Sequence, residues 1–376
     1  MGNIIYFVRG GKYMYTELIK IIDGGIKGDK EKVYNYSKIL VENLNKDGEA
    51  QLSKKIQKIL DNKPGNFTTL DEFSTKPVDQ ESRLEIANVY FPKKETEKLI
   101  FNKYIEEEMD EFINAYYCRD KFEHLGINVD FSLLLYGPPG CGKTSMARYI
   151  ASKTNLPLVV ARFDALVSSL LGNTAKNIRK VFEYASKRQC ILFLDEFDAI
   201  AKVRDDKNEL GELKRVVNSL IQNMDEFSKD SILIAATNHE ELLDRAIWRR
   251  FSKIINIDKP DDEEIKKILI QNMKQQNTNF LDKSKKFEKI IEELHGLSPA
   301  DINNITNNCL KKMVVRNQKS ITNIDILTEI YLYKKHNIEN ENEFIEFLIK
   351  NLVTQKEINE YYNIPWRKIR KIAEQE

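Results

Sequence analysis

The stretch that decides the fold is Gly137-Pro138-Pro139-Gly140-Cys141-Gly142-Lys143-Thr144. It matches the pattern G-x-x-x-x-G-K-[ST], and it lies between an apolar run ending at Tyr136 and a helical segment beginning at Ser145. Glycines at these spacings let backbone N–H groups converge on phosphate oxygens, and the positive end of the following helix dipole adds to the attraction. The stretch therefore predicts a nucleotide-phosphate loop between a strand and a helix, with all of its residues as binding candidates.

A second polar site follows another apolar run, Ile191-Leu192-Phe193-Leu194, which ends in Asp195 and Glu196. A buried strand that ends in two acids puts carboxylates at the carboxyl edge of a parallel sheet, where ligands bind in open α/β folds. Lys143 would reach the β- and γ-phosphates, while Thr144 and Asp195 would hold Mg²⁺. Glu196 would orient and activate a water molecule. We therefore expect ATP and Mg²⁺ as cofactors, and the acid pair favours hydrolysis over binding alone.

The hydrophobic pattern around these motifs predicts an α/β fold. Four short apolar runs, 131–136, 158–161, 191–194 and 232–236, alternate with helical stretches, which is typical of a parallel sheet covered on both faces. Helical periodicity precedes and follows this region, and one long helix is expected from Glu95 to Phe122. The predicted divisions are a helical N-terminal domain (1–75), a linker (76–94), the α/β domain (95–258), a second helical region (259–335) and a C-terminal segment (336–376).

Composition narrows the function classes. The chain has 376 residues with 59 Lys+Arg against 58 Asp+Glu, a net charge of +1, so no global positive field favours a nucleic-acid coat protein. Its four cysteines form no CxxC pair, which favours a reducing compartment, and its four histidines are isolated, so no metal beyond Mg²⁺ is indicated. No apolar run approaches the ~18 residues of a membrane span, and the first residues lack a signal-peptide layout. We expect a soluble cytoplasmic protein without a membrane partner.

The run from about Asn128 to Asn308 resembles the AAA+ ATPases, close to the AAA clade. The resemblance implies a P-loop core with a parallel sheet and a small helical lid at 259–335. Ala236-Thr237-Asn238 is similar to the sensor-1 motif, in which the asparagine positions the water and senses the γ-phosphate, so Asn238 is a candidate catalytic residue. Ser298-Pro299-Ala300-Asp301-Ile302 resembles the start of the lid helix that closes over adenine, and Ala300 takes that position here. Ser298 is the expected N-cap.

The segment Leu243-Asp244-Arg245-Ala246-Ile247-Trp248-Arg249-Arg250-Phe251 resembles the arginine-finger segment of the same family. Fixed positive charges in this segment act on the γ-phosphate across a subunit boundary. The resemblance therefore implies a homo-oligomer, with a hexamer expected. The family's usual spacer between the two arginines is missing, which leaves open whether Arg249 or Arg250 is the finger. The alternative is a helix-end pair that binds carbonyls or a carboxylate.

Three further regions leave alternatives open. Leu170-Leu171-Gly172 stands where polypeptide-threading relatives carry a pore loop, but it lacks an aromatic residue and equally fits helix packing. The N-terminal domain is either a partner-binding module or a helical scaffold. Residues 352–372 look like a helix-turn-helix with Thr354 as N-cap and basic side chains on the second helix. That pair of helices binds DNA, packs on the lid or binds a protein partner.

Two functions follow from these observations. The first is an ATP-driven remodeller of a protein partner, and the alternative is an ATP-dependent DNA-associated switch that acts through the C-terminal segment. The whole chain also looks like prokaryotic stand-alone AAA ATPases that act beside a subtilisin-like protease in two-gene antiviral defence pairs. That resemblance implies such a protease as the partner.

Overall fold

A computed structural model describes residues 18, 21–22, 30–46, 49–61, 77, 86–92, 99–162, 171–199, 210–228, 230–274, 278, 280–281 and 284–374. The chain divides into two compact units, Met1–Ser74 and Thr75–Glu376. The candidate nucleotide site belongs to the second unit.

The first unit contains a helical hairpin. Its helices are α1, Lys30–Lys46, and α2, Ala50–Asp61. Leu40, Val41 and Leu44 of α1 are buried, and the buried Ser53 hydroxyl of α2 donates to the Val41 carbonyl over 3.4 Å. Apolar contact and this hydrogen bond hold the two helices together, as the helical periodicity predicts.

The second unit is built on a six-stranded sheet in the order β1-β3-β4-β5-β2-β6. Five strands are parallel, and β1 is an antiparallel edge strand paired with β3. The central strands are almost wholly buried, which explains why they read as continuous apolar runs. The strands are β1 Ala87–Tyr90, β2 Ser132–Tyr136, β3 Leu158–Arg162, β4 Ile191–Asp195, β5 Ile232–Thr237 and β6 Lys253–Asn256.

Helices cover the sheet and join its strands. Leu133 and Leu135 of β2 share one hydrophobic cluster with Phe112 of α3 (Lys103–Tyr117) and Ile150 of α5 (Lys143–Thr154), so the two helices lie on the same face. Alternate residues of β2 and β4, such as Leu134 and Leu192, are equally buried. The fold is the expected α/β class. The helices of this part are α3 Lys103–Tyr117, α4 Arg119–His124, α5 Lys143–Thr154, α6 Leu171–Ser186, α7 Leu210–Asp225 and α8 Arg245–Trp248.

A helical region follows β6. It consists of α9 Asp262–Met273, α10 Ser284–Leu294, α11 Pro299–Val315, α12 Asn323–Lys335, α13 Glu341–Lys350, α14 Gln355–Tyr362 and α15 Trp366–Ala373. One hydrophobic cluster runs through it, from Ile265 of α9 to Ile369 and Ile372 of α15. The last three helices therefore share a core with the lid helices, in agreement with the packing alternative for the C-terminal segment.

Two local differences from the predictions have physical reasons. The single helix predicted from Glu95 to Phe122 is wrong over its described part, because the Asn102 side chain caps a helix that starts at Lys103 and Cys118 separates α3 from α4. The linker predicted over 76–94 did not include β1, a four-residue edge strand in which Ala87 is buried, Val89 is half-buried and the other two residues are exposed. Such a short strand gives a weak alternation signal.

The described residues include no helix that is long and apolar enough to cross a membrane.

Candidate active site

The predicted phosphate loop, the acid pair and Asn238 lie at the carboxyl ends of three neighbouring strands. Strand β5 lies between β2 and β4, with Tyr136 of β2 opposite Thr237 of β5 and Leu194 of β4 opposite Ala235. The phosphate loop follows β2, the acid pair ends β4, and Asn238 follows β5. Strand order alone therefore brings three segments that are distant in sequence to one edge of the sheet.

Two glycines of the phosphate loop are required by close contacts. Gly137 has φ of +133°, and a Cβ there would lie 2.2 Å from the carbonyl oxygen of Ile257. Gly140 has φ of +77°, and a Cβ there would lie 2.5 Å from the Ser298 hydroxyl. The loop is thus pressed between the end of β6 and the start of α11, in a conformation that side chains other than glycine rarely adopt. This crowding shapes the cradle that phosphate oxygens would occupy.

Lys143 is buried inside the loop, with 7% of its surface exposed. Its ammonium group donates to the carbonyl oxygens of Gly137 and Pro138 over 2.7 and 2.8 Å. Burial lowers the pKa of this ammonium, and the nearby carboxylates of Asp195 and Asp198 oppose that shift. The positive charge of Lys143 is therefore poorly solvated inside the phosphate loop. Poor solvation strengthens its attraction to an anion.

The magnesium candidates lie next to each other. The Thr144 hydroxyl donates to Oδ2 of Asp195 over 3.2 Å, and Oδ1 of Asp195 accepts from the Glu196 amide over 3.0 Å. These are hard oxygen donors, which Mg²⁺ prefers, and that ion is usually held by one or two carboxylates together with phosphates and water. No group of three or more potential ligand side chains occurs in the described ranges. The pair therefore fits a nucleotide-bound Mg²⁺ and not a closed metal cage.

The turn after β4 has an unusual backbone. Glu196 has φ of +54°, in the left-handed region that costs energy for a residue other than glycine. The Phe197 amide donates to the Ala236 carbonyl over 2.9 Å, and this bond ties the turn to β5. Glu196 and Asn238, on adjacent strand ends, are both partly exposed. The two predicted water-handling side chains therefore flank the same edge of the sheet.

The lid touches the phosphate loop directly. The Ala300 amide donates to the Gly140 carbonyl over 3.2 Å. Ser298 caps α11 and forms a capping box with Asp301, as its predicted role as N-cap requires. A cleft opens between this contact and the segment before α3, and residues from both sides line it: Leu99, Ile100, Phe101, Cys141, Ile268, Gln271, Asn272, Ala300 and Asn303. Its mixed apolar and amide lining fits a planar base beside the phosphate loop.

The arginine pair lies elsewhere in the domain. The Arg250 carbonyl accepts from the hydroxyl of Ser132, the first residue of β2, over 3.0 Å. Its guanidinium pairs with Asp225, at the end of α7, over 3.0 Å. Arg249 is exposed, and no hydrogen bond or ion pair within the described residues holds its side chain. The structure therefore does not bring the pair to its own phosphate loop, which follows the opposite end of β2.

Two other predicted segments can be located. Leu170 lies outside the described residues, while Leu171 and Gly172 open α6, so the pore-loop prediction stays a prediction. The predicted helix-turn-helix is present as α14 and α15, and Thr354 caps α14 with a capping box.

Several residues that the sequence analysis did not select also belong to this edge. Phe101, Asn272 and Asn303 line the cleft from three separate segments, and no sequence spacing links them. Asp198 and Thr237 are hydrogen-bonded neighbours of the predicted catalytic residues. Their sequence positions beside Glu196 and Asn238 could have identified them, because buried polar side chains need hydrogen-bond partners and those partners are often close by.

Comparison with known proteins agrees with this geometry. Residues 133–259 match the model of the AAA family, described as the ATPase family associated with various cellular activities. An uncharacterized AAA family ATPase of Sinorhizobium fredii is 41% identical over 206 residues, which cover 55% of this chain and 61% of that protein.

Two further relatives have more specific names. A proteasome-activating nucleotidase of Methanococcus maripaludis is 39% identical over 180 residues, 45% of this chain and 44% of the relative. The ATP-dependent zinc metalloprotease FtsH 2 of Sorangium cellulosum is 34% identical over 208 residues, 53% of this chain and 34% of the relative. The chain thus spans less than two thirds of each of these relatives. The strand order, the phosphate-loop motif, the acid pair and these matches together show that the chain carries an AAA-family ATPase domain.

Proposed function

We propose that this chain hydrolyses ATP with Mg²⁺ in active sites shared between the subunits of a homo-oligomer, and that it uses the energy to remodel or regulate a protein partner. The observation that carries the proposal is the contact of Thr144 with Asp195 beside the buried Lys143, at the sheet edge where Glu196 and Asn238 also lie. These are the groups that phosphoryl transfer to water requires.

Each group has a definite task in the proposed reaction. The loop amides and Lys143 would bind the phosphates, and Thr144 and Asp195 would hold Mg²⁺, which would neutralise charge on the phosphate oxygens. Glu196 orients the attacking water and accepts its proton, while Asn238 holds that water in line. Adenine would occupy the cleft beside Ala300.

We assign the arginine finger to Arg249. Arg250 is anchored to Asp225 and, through its carbonyl, to Ser132. Arg249 is exposed at the far end of β2, roughly 15 Å along the strand from the phosphate loop. From there its guanidinium is better placed to enter the site of a neighbouring subunit than its own. The proposed assembly is a homo-oligomer, and a hexamer is the expected form.

The proposal of a protein substrate rests on the relatives. Two of them are named as an ATP-dependent zinc metalloprotease and as a proteasome-activating nucleotidase, and this chain matches the AAA family model over residues 133–259. A subtilisin-like protease as partner, a role in antiviral defence and a cytoplasmic location stay predictions from the sequence.

Light scattering on the Glu196→Gln variant tests the assembly. Removing the proton acceptor should keep ATP binding and stop turnover, so the variant should accumulate an ATP-bound oligomer only when Mg-ATP is present. Glu288→Gln, an exposed change in α10, is the control and should hydrolyse ATP at the wild-type rate. A Glu196→Gln protein that stays monomeric with Mg-ATP, or that hydrolyses ATP normally, would contradict the proposal.

A DNA-associated switch is the second candidate, and the geometry of α14 and α15 supports it. The two helices are joined by three residues, with Asn363 in the left-handed conformation and Ile364 buried, as in helix-turn-helix units. Arg367, Arg370 and Lys371 are exposed on α15. The second helix therefore presents three exposed positive charges that a duplex could contact.

Binding of the full chain to a labelled duplex, followed at rising salt, tests this candidate. The switch predicts affinity that falls steeply with salt and is lost in the triple variant Arg367→Ala, Arg370→Ala, Lys371→Ala. The matched control replaces three exposed lysines of α2, Lys54, Lys55 and Lys58, with alanine. Equal loss in both variants, or no binding by the wild type, would remove the candidate.

A further inference from the structure

A buried hydrogen-bond chain joins the turn after β4 to the segment after β5. The Thr237 hydroxyl donates to Oδ1 of Asp198 over 3.1 Å and accepts from the His239 amide over 3.0 Å. Thr237 and Asp198 are 1% and 2% exposed. We propose that Thr237, with Asp198, is a positioning residue that fixes Asn238 relative to Glu196; this proposal rests on the proposed function.

The position of this hydrogen-bond chain decides which residues it can hold in place. Thr237 and His239 are the residues on either side of Asn238, and the His239 amide donates to the Thr237 hydroxyl oxygen. Asp198 is two residues after Glu196 and belongs to the same turn, which the bond from the Phe197 amide to the Ala236 carbonyl also holds. Thr237 thus connects the backbone of one water-handling residue to the turn that carries the other.

The turn needs such support. Glu196 occupies the left-handed region, which persists in a folded protein only when its surroundings determine it. Phe197 and Phe251, both buried, pack edge to face at 6.1 Å and hold the turn from a second side. The aromatic contact packs against the turn. The Thr237 hydroxyl, in contrast, provides the directional hydrogen bonds that set the distance between Asn238 and Glu196.

The arrangement predicts different effects on the positioning of the water and on the binding of ATP. Neither Thr237 nor Asp198 belongs to the phosphate loop, and Lys143 and Thr144 keep their bonds without the hydroxyl. Loss of the hydroxyl should therefore misplace the water and leave ATP affinity unchanged. A displacement of about 1 Å in such a site can lower turnover by up to about 100-fold.

Steady-state ATP hydrolysis and ATP binding of Thr237→Val, Thr237→Ser and Thr154→Val test the proposal. Valine keeps the shape and removes the hydroxyl, so kcat should fall by at least about tenfold with KM and Kd within about twofold of wild type. Serine keeps the hydroxyl and should restore kcat to within about threefold. Thr154 is a matched control, because it is also buried and its hydroxyl donates to the Ile150 carbonyl inside α5, away from the site.

The outcomes distinguish this proposal from the proposed function. Lack of turnover in the wild-type chain would contradict both. Normal turnover in the wild type together with equal kcat in Thr237→Val and Thr154→Val would contradict only the positioning role, as would a serine variant as slow as valine. If valine prevents folding, as thermal melting would reveal, Thr237→Ala and Thr237→Ser give the same comparison.

Discussion

The two ends of β2 hold their functional side chains in different ways. At the carboxyl end, Lys143 is buried and bonded to its own loop, and Thr144 is bonded to Asp195. At the amino end, Arg249 is exposed, and the neighbouring Arg250 has an exposed ion pair with Asp225. One end is organised by bonds within the chain, whereas the other presents a charge with no target among the described residues. Under the proposed function, the second end completes the first in a neighbouring subunit.

The largest effect is expected from a variant at the carboxyl end of β2. Lys143→Ala removes the buried cation that would face the phosphates, so ATP affinity should fall by roughly 100-fold and turnover should drop to background. Calorimetric titration with ATP measures the first effect and phosphate release the second. Lys153→Ala, an exposed change in the last turn of the same helix, is the control and should bind ATP normally. Retained affinity in Lys143→Ala would contradict the role of the loop.

The next effect tests the exposed end. Arg249→Ala should lower turnover by roughly 1000-fold with ATP affinity unchanged. An arginine finger stabilises the transition state of ATP hydrolysis in the active site of a neighbouring subunit. Arg250→Ala should have the smaller effect, since its side chain is already paired with Asp225. Phosphate-release assays on the two variants compare them.

Mixing experiments show whether the arginine acts between subunits. Arg249→Ala subunits keep Glu196, and Glu196→Gln subunits keep Arg249, so mixed oligomers should recover part of the lost turnover. Arg249→Ala mixed with itself is the control. No recovery in the mixture would argue against shared sites, and a larger loss in Arg250→Ala would reverse the assignment of the finger.

The smallest effect concerns the anchor of Arg250. Asp225→Asn breaks an ion pair in which both side chains are about half exposed, so unfolding free energy should fall by less than about 1 kcal/mol. Turnover should stay within about twofold of wild type. Thermal melts of Asp225→Asn beside Asp110→Asn, an exposed control on α3, measure the difference. A large loss of turnover would mean that the anchor, and not Arg249, limits the reaction.

Much of the carboxyl end was predictable, because each segment there combines a strand with a motif. The apolar runs before Gly137 and Asp195 mark buried strands, and parallel strands align their carboxyl ends at one edge. The break between α3 and α4 was not predictable from periodicity, which continues across Cys118. The strand β1 was missed because a strand of only four residues gives little alternation.

The position of the C-terminal segment also needed the structure. Its sequence predicts two short helices and a turn at Asn363-Ile364-Pro365, and both helices form there. Whether their apolar faces are free or covered depends on partners far along the chain. Ile358 and Ile369 lie in the same cluster as Ile265 and Leu269 of α9, so the pair is packed on the lid helices.

The sequence by itself indicated the ATPase domain and the positions of the phosphate-loop motif and the acid pair, because these depend on residue types at fixed local spacings. Only the tertiary structure decided that Ala300 meets Gly140, that Arg249 and not Arg250 has an unanchored side chain, and that Thr237 bridges Asp198 and His239. Each of these depends on which distant segments become neighbours. Strand order and helix packing set those neighbours through burial of the whole core, and no local spacing in the chain records them.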